Sequence, residues 1–67
     1  MSSEKSSWPE VVGLPAEEAK RTILRDRPDV HVIVAPVGSP GITDFNEKRV
    51  RVFVNDAGIV VEVPRTG

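Results

Sequence analysis

Arg49-Val50-Arg51-Val52-Phe53-Val54 is the stretch that decides the fold. Its side chains alternate with period two, so Val50, Val52 and Val54 face one way and Arg49, Arg51 and Phe53 the other. A strand with one apolar face needs something apolar laid against it. Upstream, Val30-His31-Val32-Ile33-Val34-Ala35-Pro36-Val37 is β-branched and predicts a second strand. Its near-continuous apolarity predicts partial cover on both faces. Between the two lies a loop of roughly eleven residues, Gly38 to Lys48, with Gly38, Pro40 and Gly41 and no helical or strand period. Downstream, Asn55-Asp56-Ala57-Gly58 predicts a turn, since Gly supplies positive φ. A last strand is expected over Ile59 to Pro64, with Arg65-Thr66-Gly67 as the end of the chain.

The partner for the valine face is a helix expected from Pro15 to about Asp26. Pro suits a first helical position, and Pro28 stops the helix. Glu17 and Glu18 lie in the first turn with Lys20 and Arg21 after them, as the helix dipole prefers. Ala16, Ala19, Ile23 and Leu24 share one face. Trp8, in Trp8-Pro9-Glu10-Val11-Val12-Gly13, reads as a core anchor. The expected fold is α+β: one helix packed on a small mixed β-sheet. The strands on either side of the long loop are able to pair in parallel, with the loop as crossover, and the last two form a short antiparallel pair. The expected core is Trp8, Ala19, Ile23, Val32, Val34, Val50, Val52, Val54 and Val60.

Composition narrows the function. The 67 residues make one domain with a thin core, and there is no Cys and one His. A domain this small buries only about 60% of its unfolded surface and often relies on a staple; here neither a disulfide nor a metal site is expected. Nine Lys+Arg against ten Asp+Glu give a net charge of −1, the wrong balance for a nucleic-acid partner. The longest apolar run, Val32 to Val37, is too short to span a membrane. Residues 1–7, Met-Ser-Ser-Glu-Lys-Ser-Ser, read as a polar disordered tail before a domain over 8–67. With no apolar stretch after Met1, the expected location is the cytoplasm, with extracellular and vacuolar sites left open. No nucleophile–base–acid set, metal cluster or phosphate loop is present, and His31 sits at a strand start without ligand spacing. Neither enzyme activity nor a cofactor is expected.

What remains is the long loop with two arginines behind it, and those residues carry a resemblance. Trp8-Pro9-Glu10-Val11-Val12-Gly13, Glu17-Glu18-Ala19-Lys20, Pro36-Val37-Gly38, Arg49-Val50-Arg51-Val52-Phe53-Val54 and Val63-Pro64-Arg65-Thr66-Gly67 resemble the potato inhibitor I family. The match runs from about Ser7 to Gly67 without a gap. It implies a disulfide-free inhibitor of serine proteases, acting as a monomer, whose long exposed loop binds the protease as a substrate would. Counting back without a gap from Arg49-Val50-Arg51, the resemblance puts the reactive bond between Thr43 and Asp44. Thr43 then enters the primary pocket, preceded by Gly41 and Ile42 and followed by Asp44, Phe45 and Asn46. In the family pattern Arg49 and Arg51 brace the loop against Asp44, against a Thr at position 42, and against Gly67. Two other registers, with Asp44 or Phe45 in the pocket, need unequal spans on the two sides of the bond.

The sequence departs from that pattern in ways that point to a softer loop. Ile42 stands where most members have Thr and offers an Arg no hydrogen bond. Asn46 replaces an Arg, Pro15 replaces the helix-capping Ser of the cereal members, and Gly41 adds backbone freedom. Weaker inhibition, or slow consumption as substrate, is therefore expected. Thr43 is small and uncharged, which favours subtilisin- or elastase-type proteases over trypsin or chymotrypsin. The competing reading is a non-inhibitory binding or storage protein with a degenerate loop. The intact set of Asp44, Arg49, Arg51 and Gly67 favours inhibition.

Overall fold

The helix, α1, runs over Ala16–Asp26, and Pro15 is its N-cap, one position before the helical turn in which it was expected. Pro15 is extended (φ −61°, ψ 149°), and its carbonyl accepts the first helical bond from Ala19 N at 3.0 Å. No side chain caps this end; the N–H of Ala16 instead donates to the carbonyl of Gly58 at 3.0 Å. A distant turn thus satisfies one of the orphan donors of the helix. At the other end Arg27 N donates to Ile23 O at 2.7 Å, and Pro28 has no N–H with which to continue. The computed structural model describes residues 5–40 and 44–67.

A 3₁₀ turn at Pro9–Val11 precedes the helix. Three strands come after it: β1 over His31–Pro36, β2 over Arg49–Val54 and β3 over Arg65–Thr66. Their order is β1-β2-β3, so β2 is central. β1 and β2 are parallel, with Val32 opposite Val50 and Val34 opposite Val52. β2 and β3 are antiparallel, with Val50 opposite Thr66 and Arg51 opposite Arg65. A parallel pair places the end of β1 and the start of β2 at opposite ends of the sheet. The loop must therefore travel back along a strand length, roughly 17 Å, with no helix among its described residues to carry it.

The core is Trp8, Val11, Ala19, Ile23, Val30, Val50, Val52 and Val60, with Leu14, Leu24, Val32 and Val54 packed at its margin. Alternation on β2 is as expected: Val50 and Val52 are buried and Arg51 is not among them. Trp8 is fully buried, and its Nε1–H donates to Asp26 Oδ2 at 3.1 Å, which satisfies its one polar atom.

Two expectations are corrected. Val34 is not in the core: it is 46% exposed, and Ile33 on the other face is 41% exposed. The apolar run of β1 therefore has neither face covered at this point. β1 is an edge strand, and the narrow apolar stripe of a single helix, shared between β1 and β2, leaves Val34 half exposed. Ile59 to Pro64 is not a strand either; it makes only isolated pairings, Pro15 with Ile59 and Val54 with Val60. Val60 exchanges backbone bonds with Gly13 and Leu14, at 2.8 and 2.9 Å, while Val61 N turns to Phe53 O and Pro64 O accepts from Trp8 N, each at 3.0 Å. The segment divides its hydrogen bonds between two neighbours, Pro64 has no N–H to give, and regular pairing with β2 resumes only at Arg65.

Of the tail assigned to residues 1–7, residues 1–4 lie outside the described residues. Lys5, Ser6 and Ser7 are in contact with the domain. Thr66 N donates to Ser6 O at 3.0 Å, Ser7 pairs with Arg65, and Lys5 Nζ bonds Glu10 and Asp26.

Candidate functional site

The loop leaves the sheet through a tight turn. Val37 N donates to Val54 O at 2.8 Å, and Gly38 takes φ 89°, a conformation that favours glycine. Ser39 then closes on Pro36 O with both its N–H and its hydroxyl, at 3.2 and 2.6 Å. Gly41, Ile42 and Thr43 lie outside the described residues. From Asp44 onward the chain returns to β2.

Arg49 organises this returning limb. Being the first residue of β2 and on the face away from the core valines, it points where the loop comes back. Its Nε donates to Gly67 O at 2.9 Å and its Nη2 to Asp44 O at 2.7 Å. The Asp44 carboxylate lies 3.7 Å from Nη1, an ion pair without a hydrogen bond. The grip is therefore on the backbone of Asp44 more than on its acid. The Arg49 side chain is only 13% exposed, and its bond to Gly67 O is part-buried, whereas the bond to Asp44 O faces solvent. Gly67 is itself anchored, since its N–H donates to Arg49 O at 2.9 Å. Phe45 is 74% exposed, yet its ring edge lies beside Gly67: a Cβ added there would sit 3.3 Å from Phe45 Cε1.

Asp44, Phe45, Arg49 and Gly67 are thus brought together. Arg51 lies on the same side of β2, but its guanidinium stands over the Phe53 ring, 5.4 Å from the centroid. It makes no hydrogen bond or ion pair among the described residues. Asn46, expected to soften the loop, folds the limb into a turn: its side-chain carbonyl accepts from Lys48 N at 2.9 Å, and its backbone carbonyl from Arg49 N at 3.0 Å.

Sequence reasoning passed over three residues beside this limb. Lys48 Nζ donates to Asp29 Oδ2 at 2.7 Å. Asp29 also receives a two-pronged bond from Arg27, Nε at 2.9 Å and Nη2 at 2.8 Å, and Arg27 Nη1 donates to Lys5 O at 2.9 Å. Hydrogen bonds from Arg27, then from Lys48, hold the Asp29 carboxyl well below the ordinary carboxylate range. The available signal was Arg27-Pro28-Asp29, two opposite charges on either side of a helix-ending proline.

The chain is similar to known proteins along its whole length. A model of the potato inhibitor I family matches residues 1–67. A chymotrypsin inhibitor of Lumbricus terrestris is 49% identical over 67 residues, covering 100% of this chain and 78% of the relative. A subtilisin-chymotrypsin inhibitor of Hordeum vulgare is 48% identical over 66 residues, covering 98% of this chain and 86% of the relative. Among solved structures, the bitter gourd trypsin inhibitor superposes with a TM-score of 0.91 at 43% identity, covering 97% of this chain and 96% of that one.

Proposed function

The chain belongs to the potato inhibitor I family and is a serine protease inhibitor, not an enzyme; from that premise we propose that its reactive bond is Thr43–Asp44 and that subtilisin- or elastase-type proteases are its preferred targets. The observation that carries the reading is the Arg49 clamp, which joins Asp44 O to Gly67 O through one guanidinium.

The clamp bears on the chemistry of the bond next to it. A protease serine attacks the Thr43 carbonyl, an oxyanion hole receives the oxygen, and the Thr43–Asp44 bond gives an acyl ester and a free amine at Asp44. In an ordinary substrate that amine diffuses away. Here Asp44 is tied to β2 through its carbonyl, and Asn46 and Arg49 close the next turn, so the amine stays within reach of the ester and re-forms the peptide bond. A limb held before binding also spares part of the ordering entropy that a flexible peptide loses. The second brace is reduced: Ile42 has no side-chain acceptor, and Arg51 rests on Phe53. This favours moderate inhibition with slow turnover. A single chain holds both ends of the clamp, which supports inhibition as a monomer.

Incubation with subtilisin, with mass spectrometry of the bound inhibitor, tests the bond. A fragment beginning at Asp44 is expected; one beginning at Phe45 or Asn46 overturns the register. Thr43→Leu is expected to improve chymotrypsin inhibition several-fold, because a larger apolar side chain buries more area in that pocket.

A further inference from the structure

We propose that Arg27, Asp29 and Lys48 form a second support for the loop, positioning residues that hold its returning limb against the helix end and so keep the cleaved half in place for resynthesis. The inference rests on the inhibitory reading above and assigns it a set of residues on the opposite flank from the Arg49 clamp.

Lys48 is the residue immediately before Arg49, and the structure holds it by three different groups. Its carbonyl accepts from His31 N at 2.7 Å, its N–H donates to Asn46 Oδ1 at 2.9 Å, and its ammonium reaches Asp29 at 2.7 Å. The first bond fixes the turn against β1, and the second closes the turn on itself. The ammonium adds a sideways tie from the turn to the segment between α1 and β1.

That anchor is itself held by several bonds. Arg27 is 8% exposed, comes directly after the last helical residue, and precedes Pro28, which fixes its own φ and restricts the residue before it. A planar guanidinium bonded twice to one carboxylate sets the orientation of that carboxylate. Asp29 is therefore presented to Lys48 as a fixed acceptor, and the lowered carboxyl pKa reflects the same two donors. Arg27 Nη1 also holds Lys5 O at 2.9 Å, which adds the amino-terminal segment to the anchor. Together, Arg49 grips the limb from the β2–β3 side and Lys48 from the helix side, with Asn46 as the turn between them.

An exposed ion pair contributes little to global stability, because water competes for both partners. A local effect is expected instead. The full chain carrying Lys48→Met, which keeps length and removes charge, is compared with wild type and Lys48→Arg. The expected result is an inhibition constant for subtilisin raised about 2- to 5-fold, with faster cleavage of the bound loop and a near-unchanged melting temperature. Lys48→Arg is expected to restore both. In the free protein the Lys48 and Arg49 amides are expected to exchange faster by a similar factor. Asp29→Asn removes the charged partner of a buried guanidinium and is expected to lower the melting temperature as well, so Lys48→Met is the deciding variant. If wild type inhibits and Lys48→Met changes neither inhibition nor cleavage, the second support is overturned. If wild type does not inhibit at all, the inhibitory reading fails, and the amide exchange still decides whether Lys48 holds the limb: unchanged exchange overturns it.

Discussion

The two faces of β2 divide its six residues between opposite purposes. Val50 and Val52 are buried against Trp8 and the helix, where contact is non-directional and any well-fitting apolar atom serves. Arg49, one residue away, makes two directed bonds to two carbonyls that are far apart in sequence. Its neighbour on that face, Arg51, has the same chemistry and lies over a ring instead. The valine face specifies that the domain folds. The arginine face specifies how the loop stands on it, and there the partner matters more than the side chain.

The sharpest way to separate the faces is to damage each in turn. Val52→Ala removes two carbon groups from a closed core and is expected to cost about 2–3 kcal/mol of stability, combining lost transfer energy with a cavity. Denaturant unfolding would read this as a lower midpoint at constant slope. The inhibition constant of the protein that remains folded should hardly move.

Arg49→Ala is the converse. Loss of charge-assisted bonds to Asp44 O and Gly67 O is expected to weaken subtilisin inhibition about tenfold or more, with a smaller change in melting temperature. Arg51→Ala should fall well behind it, since Arg51 grips no described part of the loop. Equal losses from the two arginines would break the distinction and restore the symmetrical brace that the family pattern implies.

The smallest difference appears in acid. Asp29 is held low by Arg27 and Lys48, Glu10 by Lys5, and Asp26 by Lys5 and then Trp8. A carboxyl with a lower pKa folded than unfolded contributes stability above the ordinary range near pH 4 and loses it as pH falls through the folded value. The melting temperature is therefore expected to hold from neutral pH to about pH 4 and decline below it. Asp29→Asn should flatten that decline. The valine face carries no titratable group, so Val52→Ala should lower the whole curve without changing its shape.

Strand parity on β2, the helix over Ala16–Asp26, the buried Trp8 and the turn at Asn55–Gly58 were all legible in the sequence. Each arises from covalent periodicity or from what Pro and Gly permit locally, and needs no knowledge of neighbours. The family resemblance also directed attention to Asp44, Arg49 and Gly67, which the fold brings together. Three things were decided only by the tertiary structure. Val34 has the composition of a core residue, but its burial depends on how far one helix reaches across a sheet. Ile59 to Pro64 has the composition of a strand, but its hydrogen bonds are shared between β2 and the amino-terminal segment. Asp29 and Lys48 are 19 residues apart and belong to no motif, and their pairing exists because β1 lies parallel to β2 and brings the start of one strand beside the start of the other. A sequence displays the period of a chain because bond geometry sets it residue by residue. It does not display which charge meets which, because that is set by the path the whole chain takes.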